Sequence, residues 1–192
     1  YGNKKISKSP ADFAAEISAG TWAHARHLDF LSEKLSALEK RKIRRLMVSM
    51  PPRYGKSLLI NTYFPVWWLT LHPFDRVVLA GYGETFARKY GAAVRDIIIE
   101  HSEKLNLLID KESTAADDWN LTRGGGMKCV GVGGALIGHG ANLLIIDDPI
   151  KNEQEANSVV YRDRMWDWWE ATASTRIEPE GVVVVVATRW HQ

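Results

Sequence analysis

The sequence has 192 residues, 45% of them hydrophobic, and its 25 Lys and Arg residues against 23 Asp and Glu give a net charge of +2. This length and composition are typical of one globular domain with a sizeable core. The small net charge excludes a strong field for attracting nucleic acid. The longest apolar run, 182–187, is too short to span a bilayer, so we expect no membrane attachment. The single cysteine, Cys129, excludes an internal disulfide and is expected to be a buried small hydrophobe in a reducing compartment.

Helices and strands alternate along the predicted chain. Apolar residues recur at three- and four-residue steps in the helical segments and form short continuous runs in the strands. In chain order the predicted elements are two helices before residue 40 separated at Gly20, a strand at 45–49, a helix at 56–71, a strand at 76–81, a helix from 85 to about 101, a hairpin within 117–132, a strand at 143–146, a helix from 153 to about 176, and a strand at 182–187. Strands alternating with helices imply a mainly parallel sheet between helical layers, a three-layer α/β fold.

The densest basic cluster lies between the second helix and the first strand. It reads as a solvated helix end, and contact with a phosphate backbone is the alternative. Its members are Lys40, Arg41, Lys42, Arg44 and Arg45.

The segment 50–57, MPPRYGKS, resembles a phosphate-binding loop. It matches the pattern G-x-x-x-x-G-K-[ST] at Gly55, Lys56 and Ser57 and departs from it at Met50. The segment lies between a predicted strand and a predicted helix, so backbone amides and a helix N-terminus would face a bound anion. This context predicts nucleotide binding, against the alternative of an ordinary glycine turn.

Each residue type in this 50–57 loop has a chemical task in that interpretation. Pro51 and Pro52 have no amide hydrogen, so the amide donors must come from the residues that follow. Lys56 would supply a cation to the β- and γ-phosphates, Ser57 would complete the coordination of Mg²⁺, and Arg53 would add a second cation near the γ-phosphate. The residues expected to contact the nucleotide here are Arg53, Tyr54, Gly55, Lys56 and Ser57.

The run 143–148, LLIIDD, is a hydrophobic strand that ends in two carboxylates, a Walker B pattern. Because side chains alternate across a strand, Asp147 and Asp148 are expected to point different ways. We assign Asp147 to the metal and Asp148 to the attacking water, which it would orient or deprotonate. The alternative is that both acids only end the strand before a turn at Pro149.

Further polar groups follow the same strands. Glu153 or Glu155 is a weaker candidate for the base, because Asp148 is one methylene shorter than the glutamate of many related ATPases. Thr188 follows the last strand at the carboxyl end, where ligands of open α/β sheets bind, and is a candidate sensor of the γ-phosphate. Arg189 is either a phosphate contact or a surface charge, and His191 is expected to be structural or exposed.

Three segments together resemble the ATPase domain of tailed-phage large terminase subunits. They are MPPRYGKS as the phosphate loop, GVGGALIGHGANLLIIDDPIKN as a glycine loop running into the Walker B strand, and VVVVVATRWH as a coupling strand. The resemblance spans roughly residues 22–192. The Pro-Pro-Arg-x-Gly-Lys-Ser and Asp-Asp-Pro-Ile-Lys-Asn forms are more specific than a bare Walker pair.

The resemblance implies a RecA-like (ASCE) P-loop NTPase fold with ATP and Mg²⁺ as cofactors. It implies a motor that couples ATP hydrolysis to translocation of double-stranded DNA into a capsid. The implied partners are DNA, the portal protein and the terminase small subunit. Assembly as a homo-oligomeric ring is implied at the viral procapsid in the host cytoplasm, and the isolated domain could be a monomer.

The resemblance also implies a division of the chain. Residues 1–40 would form N-terminal helices that act as a lid on the adenine side, and 41–192 would form the ATPase core, with a nuclease domain beyond it. Trp22, His24 and His27 lie in the region that matches the family's adenine contacts. Packing between helices is the alternative role for these three side chains.

One position departs from the family pattern. Near Gly138–Gly140 such proteins are expected to carry an arginine that reaches a neighbouring subunit's ATP, and this chain has His139. Three explanations stay open: His139 performs a weaker, pH-dependent version of the task, or Arg123, Arg162 or Arg189 supplies the cation, or hydrolysis is poor.

Two other functions are compatible with the same motifs. A helicase-like DNA translocase would share the loop and the acidic pair but would carry nucleic-acid-contacting motifs on a second motor domain. A nucleotide-binding assembly module would use ATP only to order a ring, an alternative that Met50, Asp148 and His139 keep open.

Overall fold

The computed structural model describes residues 8–136 and 138–187, which contain one seven-stranded sheet. The strands, in chain order, are β1 (Arg45–Ser49), β2 (Arg76–Gly81), β3 (Ile109–Thr114), β4 (Asp118–Leu121), β5 (Gly126–Gly131), β6 (Ala141–Asp147) and β7 (Ile177–Ala187). In space their order is β1-β7-β6-β2-β5-β4-β3. The first five pair in parallel, and β4 and β3 extend the sheet in antiparallel fashion. The expected mainly parallel sheet is confirmed.

Two helices precede β1, and the others lie in connections between strands. They are α1 (Pro10–Ile17), α2 (Arg26–Glu39), α3 (Lys56–Leu58), α4 (Phe64–Leu71), α5 (Glu84–Glu100), α6 (Ser102–Leu105), α7 (Glu153–Asn157) and α8 (Val159–Trp168). A π-helical segment (Leu59–Tyr63) joins α3 to α4, so residues 56–71 form one continuous helical run as expected. A second π-helical segment (Trp169–Ala173) and a 3-10 turn (Ser174–Arg176) continue α8. None of the helices within the described residues is long and apolar enough to cross a membrane.

Two hydrophobic clusters cover the two faces of the sheet. In β6, Leu143 and Ile145 belong to the larger cluster, which includes side chains of α1, α2, α4 and α5. Leu144 and Ile146 point the opposite way into the smaller cluster, which includes Trp168 of α8. The period of two along the strand therefore builds both faces, and the fold has the expected three layers.

The N-terminal helices pack into the larger cluster. Leu35 and Leu38 are fully buried there, and the backbone amide of Ala11 donates to the Ser32 hydroxyl at 2.9 Å, which joins α1 to α2. The predicted break at Gly20 has a positive φ of 86°. The two helices thus share one core with the sheet, and their action as a lid remains a prediction.

The predicted helix from 153 to about 176 is interrupted at Ser158. This residue has extended backbone angles, and its hydroxyl accepts from the Tyr161 amide at 3.3 Å, which caps a new helix. Within α8 only Trp168 is buried, whereas Trp166 is 60% exposed. The segment 165–169, MWDWW, is rich in tryptophan and its apolar faces predict core packing, an expectation that is wrong for Trp166.

The fold also shows the surroundings of Cys129 and of the basic cluster. Cys129 is buried in β5, and burial raises the pKa of its thiol to about 12, which agrees with the role of a small hydrophobe. In the basic cluster, Arg44 pairs with Glu180 at 2.8 Å, and the Arg41 guanidinium lies over the Trp68 ring. Both arginines therefore have intramolecular partners.

Candidate nucleotide site

The carboxyl ends of the parallel strands meet at one edge of the sheet. Ser49 at the end of β1 is in register with Ala187 of β7, and Asp147 at the end of β6 is in register with both Val186 and Gly81. Strand β7 therefore separates the strand that enters the 50–57 loop from the strand that ends at Asp147. Parallel α/β sheets bind ligands at this edge.

The 50–57 loop has two left-handed residues, Arg53 with φ 68° and Gly55 with φ 78°. Such backbone angles turn consecutive amides toward one side and make an anion-binding concavity. A Cβ at position 55 would lie 3.2 Å from a Leu28 methyl, so glycine also meets a packing need. For arginine the same backbone region is strained, a feature that clusters at functional sites.

The loop leads directly into a helix N-terminus. Leu59 makes the first helical hydrogen bond, from its amide to the Gly55 carbonyl at 3.1 Å. The amides of the three preceding residues, 56–58, come before the first full helical turn and are the orphan donors that a bound anion satisfies. Lys56 itself is only 5% exposed. The Lys56 side chain is thus held within the fold, where its charge acts on the Asp147 carboxylate.

Asp147 lies beneath the loop and has no exposed surface. Burial raises the pKa of its carboxyl to about 6, against the opposing effects of the Asn61 hydrogen bond, the Lys56 charge and the nearby Ser57 hydroxyl. These effects require close approach, so the structure brings Lys56, Ser57 and Asp147 together. Asp147 Oδ2 accepts from Asn61 Nδ2, whereas its Oδ1 has no hydrogen-bond partner.

Asp148 stands at a sharp turn of the chain after β6. Its φ is 42°, and its amide donates to the Val186 carbonyl at 2.8 Å. Asp148 is half-buried, whereas Asp147 is fully buried, so the two side chains differ in environment. The negative charge of Asp148 contributes to the raised pKa of Asp147.

Two residues of this site were not identified from the sequence. Asn61 lies four residues after Ser57, hence on the same helix face, and is fully buried. Tyr90 of α5 faces the same place: burial and the Asp147 charge raise the pKa of its hydroxyl, and the nearby Asn61 and Ser57 side chains oppose this rise. The only signal in the sequence was a polar amide inside the apolar run 58–71.

The donor set fits Mg²⁺ as a cofactor. A buried carboxylate oxygen without a partner and a serine hydroxyl are the hard oxygen ligands that Mg²⁺ takes. No group of three or more His, Cys, Asp or Glu able to hold a metal exists in the described residues. The site therefore suits a cation that is held jointly by one or two protein oxygens, phosphates and water.

The three residues expected near adenine have different surroundings. Trp22 is buried edge-on against Tyr63, which is the packing role. His24 pairs with Asp29 on the surface, and this hydrogen bond raises the pKa of the imidazole. His27 is exposed, and its Nε2 lies 3.1 Å from the Tyr54 carbonyl, so it touches the 50–57 loop.

A cavity of about 270 Å³ lies beside that histidine, between α2 and the open edge of β1. Its lining includes His27, Phe30, Lys34, Met47 and Met50. Apolar and aromatic walls next to a phosphate loop suit a nucleobase. Of the predicted adenine contacts, His27 is the one that borders this cavity.

His139 lies far from the 50–57 loop of its own chain. It precedes the first residue of β6, whereas the loop faces the last, and a rise of about 3.3 Å per residue puts about 20 Å between these ends. Its Nε2 lies 3.6 Å from Asp118 in a polar cavity. A role for His139 at the site of a neighbouring subunit remains a prediction.

The other candidate cations and bases lie at different places in the fold. Arg123 follows β4 at the hairpin tip, on the edge of the sheet opposite the loop. Arg162 donates to the Ala156 carbonyl at 2.6 Å, and Glu155 accepts from the Lys151 amide as a helix cap. Glu153 is exposed at the start of α7. Thr188, Arg189 and His191 lie outside the described residues.

Comparison with solved structures gives a likeness to a bacteriophage protein. No protein-family model and no curated protein matches the sequence. The crystal structure of the HK97 bacteriophage large terminase matches with a TM-score of 0.57 and 12% sequence identity. The match covers 93% of this chain and 36% of that chain, so this chain spans about a third of that terminase. At this identity the likeness concerns the fold: the chain has the RecA-like three-layer α/β fold of the matched part of a bacteriophage large terminase.

Proposed function

We propose that this chain is the ATP-hydrolysing motor domain of a viral DNA-packaging terminase. The observation that carries the proposal is the meeting, at one sheet edge, of the 50–57 loop with the buried carboxylate of Asp147. A strand lies between the two strands that deliver them. An isolated Gly-Lys-Ser turn on a surface would have no such carboxylate beneath it.

The loop would bind the triphosphate. Its left-handed residues and the first amides of the helical run would hold the phosphate oxygens, and Lys56 would neutralise the β- and γ-phosphates. Ser57 and Asp147 are the residues that would hold Mg²⁺, which when bound neutralises charge that develops on the phosphates. Met50 in place of glycine leaves this set of donors intact, because the donors begin at residue 53.

Asp148 would act on the water that attacks the γ-phosphate. Its half-buried carboxyl follows the metal carboxylate directly, and the left-handed turn at this residue directs the chain away from the strand. As a general base or orienting group it would accept a hydrogen bond from the water. Arg53 of the 50–57 loop would add positive charge near the γ-phosphate.

The packaging role is supported by the likeness of fold to the HK97 large terminase together with the specific loop and Walker B forms. In this proposal ATP turnover is coupled to translocation of double-stranded DNA. The portal protein, the terminase small subunit and further copies of this chain in a ring are the proposed partners.

Phosphate release from ATP tests the proposal. We expect Asp148→Ala to retain binding of Mg²⁺-ATP. Its turnover rate should fall by a factor of about 10² to 10⁴, the usual contribution of a general base. The exposed Asp163 of α8 provides the matched control, because Asp163→Ala removes a carboxylate outside the site.

The outcome also separates the alternatives. Wild-type protein that binds ATP but never releases phosphate, even with DNA and the partner proteins present, would contradict a motor and support an assembly module. Turnover that responds to DNA but drives no DNA into procapsids would support a helicase-like translocase.

A further inference from the structure

Asn61 is a polar residue in a place where the fold otherwise buries apolar side chains. It lies in the π-helical segment after α3, between the buried Ile60 and Thr62, and has no exposed surface. Burying a side-chain amide is costly unless its polar atoms have partners. π-helical turns are rare and occur frequently at functional sites.

The partner of Asn61 is the candidate metal carboxylate. Its Nδ2 donates to Oδ2 of Asp147, across the interface between the helical run and β6. The Oδ1 atoms of both residues are buried and have no hydrogen-bond partner. One carboxylate oxygen is thus held by the protein while the other is left available, a condition that needs an explanation in a native core.

We propose that Asn61 is a positioning residue that fixes the Asp147 carboxylate so that Oδ1 is presented to the Mg²⁺ of the bound nucleotide. The inference rests on the proposed function, since it concerns the same site. Ser57 precedes Asn61 by one helical turn, so one helix face carries both the proposed hydroxyl ligand and the group that orients the carboxylate ligand.

A purely structural role would not favour this arrangement. Apolar side chains at both positions 61 and 147 would fill the same space without burying an amide or an unpartnered oxygen. Residues that orient a metal ligand commonly change metal affinity by tenfold to a hundredfold when they are replaced. Asn61 has the position, the donor and the burial for that task.

The test measures how binding of a non-hydrolysable ATP analogue depends on Mg²⁺ concentration. We expect Asn61→Leu to raise the Mg²⁺ concentration for half-maximal binding by about tenfold to a hundredfold. Binding of the analogue in the presence of a chelator should stay at the wild-type level. Thr62→Val is the matched control, because it removes a hydroxyl from the same buried segment next to Asn61.

A double-variant cycle shows whether the effect passes through Asp147. In an Asp147→Ala background, Asn61→Leu should cause no further change in Mg²⁺ dependence, because the carboxylate it orients is gone. Asn61→Ala should behave like Asn61→Leu, and it replaces that variant if the leucine disturbs folding. An unchanged Mg²⁺ dependence in both variants overturns the inference while leaving the proposed function intact. Failure of the wild-type protein to bind the analogue overturns the proposed function itself.

Discussion

Asp147 is an ionisable carboxyl in a fully buried position. Burial raises its pKa from 3.8 to about 6, so the fold favours the protonated form while the proposed metal site needs the ionised one. Without a cation the ionised carboxylate is therefore a source of instability at neutral pH. Functional sites often carry such a cost.

This conflict predicts a pH-dependent gain of stability for Asp147→Asn. A raised pKa in the folded state means that the penalty is absent below about 3.8, grows between about 3.8 and 6, and is constant at higher pH. At pH 7, without Mg²⁺ or nucleotide, the variant should exceed the wild-type free energy of unfolding by about 2 to 3 kcal/mol. Urea unfolding at pH 4, 5, 6 and 7 measures the difference. The exposed variant Asp163→Asn serves as a control, and a difference that is the same at all four pH values would contradict the prediction.

The sequence motifs identified the residues with proposed chemical roles, but not the residues that surround and orient them. Lys56, Ser57 and Asp147 follow from residue type and spacing, and the structure brings them together. Asn61 and Tyr90 did not follow, because a helix period cannot tell which strand end a polar side chain faces. Trp22 was placed near adenine by resemblance, yet its ring packs against Tyr63.

Helix α5 packs against the sheet unusually closely at Gly91. A Cβ on Gly91 would lie 2.3 Å from the Ala116 carbonyl and 2.7 Å from the Cys129 sulfur. The Gly91 carbonyl also accepts from Trp119 Nε1 at 3.0 Å. The absence of a side chain at this position therefore sets the distance between helix and strands.

Gly91→Ala should consequently destabilise the fold, even though alanine is the better helix former. Overpacking against backbone costs about 1 to 3 kcal/mol or more, and a helical preference of about 1 kcal/mol offsets only part of it. We expect a lower denaturant midpoint in urea. Gly83→Ala at the start of the same helix meets open space and should lose at most about 1 kcal/mol. Equal stability of the two variants would argue against tight packing at Gly91.

Element existence was largely predictable, and the errors have physical causes. Strand β3 was missed because its sequence, IDKEST, is polar and it forms the outer edge of the sheet, so no apolar run marks it. The break at Ser158 was missed because the helical period continues across it, while a single hydroxyl caps the second helix. The π-helical segments, LINTY and WEATA, carry no sequence pattern that distinguishes them from an α-helix.

Three of the candidate cations within the described residues lie away from the proposed catalytic groups. Arg123 and His139 lie at or beyond the opposite edge of the sheet, and Arg162 donates to a backbone carbonyl. Within the 50–57 loop, Arg53 is the cation that accompanies Lys56. Efficient hydrolysis is therefore expected to need a further cation, from a neighbouring copy or from Arg189, which lies outside the described residues.

With a cation from a neighbouring copy, turnover per chain should rise with protein concentration. A second copy would complete the charge around the γ-phosphate, as trans-acting arginines do in related hydrolases. Phosphate release measured over a hundredfold dilution series, with and without DNA, reports the effect. A fast rate that is independent of concentration would contradict a cation supplied in trans and favour Arg53 or Arg189.

The most direct measurement is the equilibrium binding of Mg²⁺-ATP to wild-type protein and to Lys56→Ala. Removing the buried ammonium should weaken binding by about tenfold to a hundredfold, the contribution of a charge-assisted hydrogen bond of roughly 1.5 to 3 kcal/mol. Lys89→Ala, which removes an exposed lysine from α5, should bind as the wild type does. Equal affinity of Lys56→Ala and wild type for Mg²⁺-ATP would contradict the assignment of the 50–57 loop as the nucleotide site.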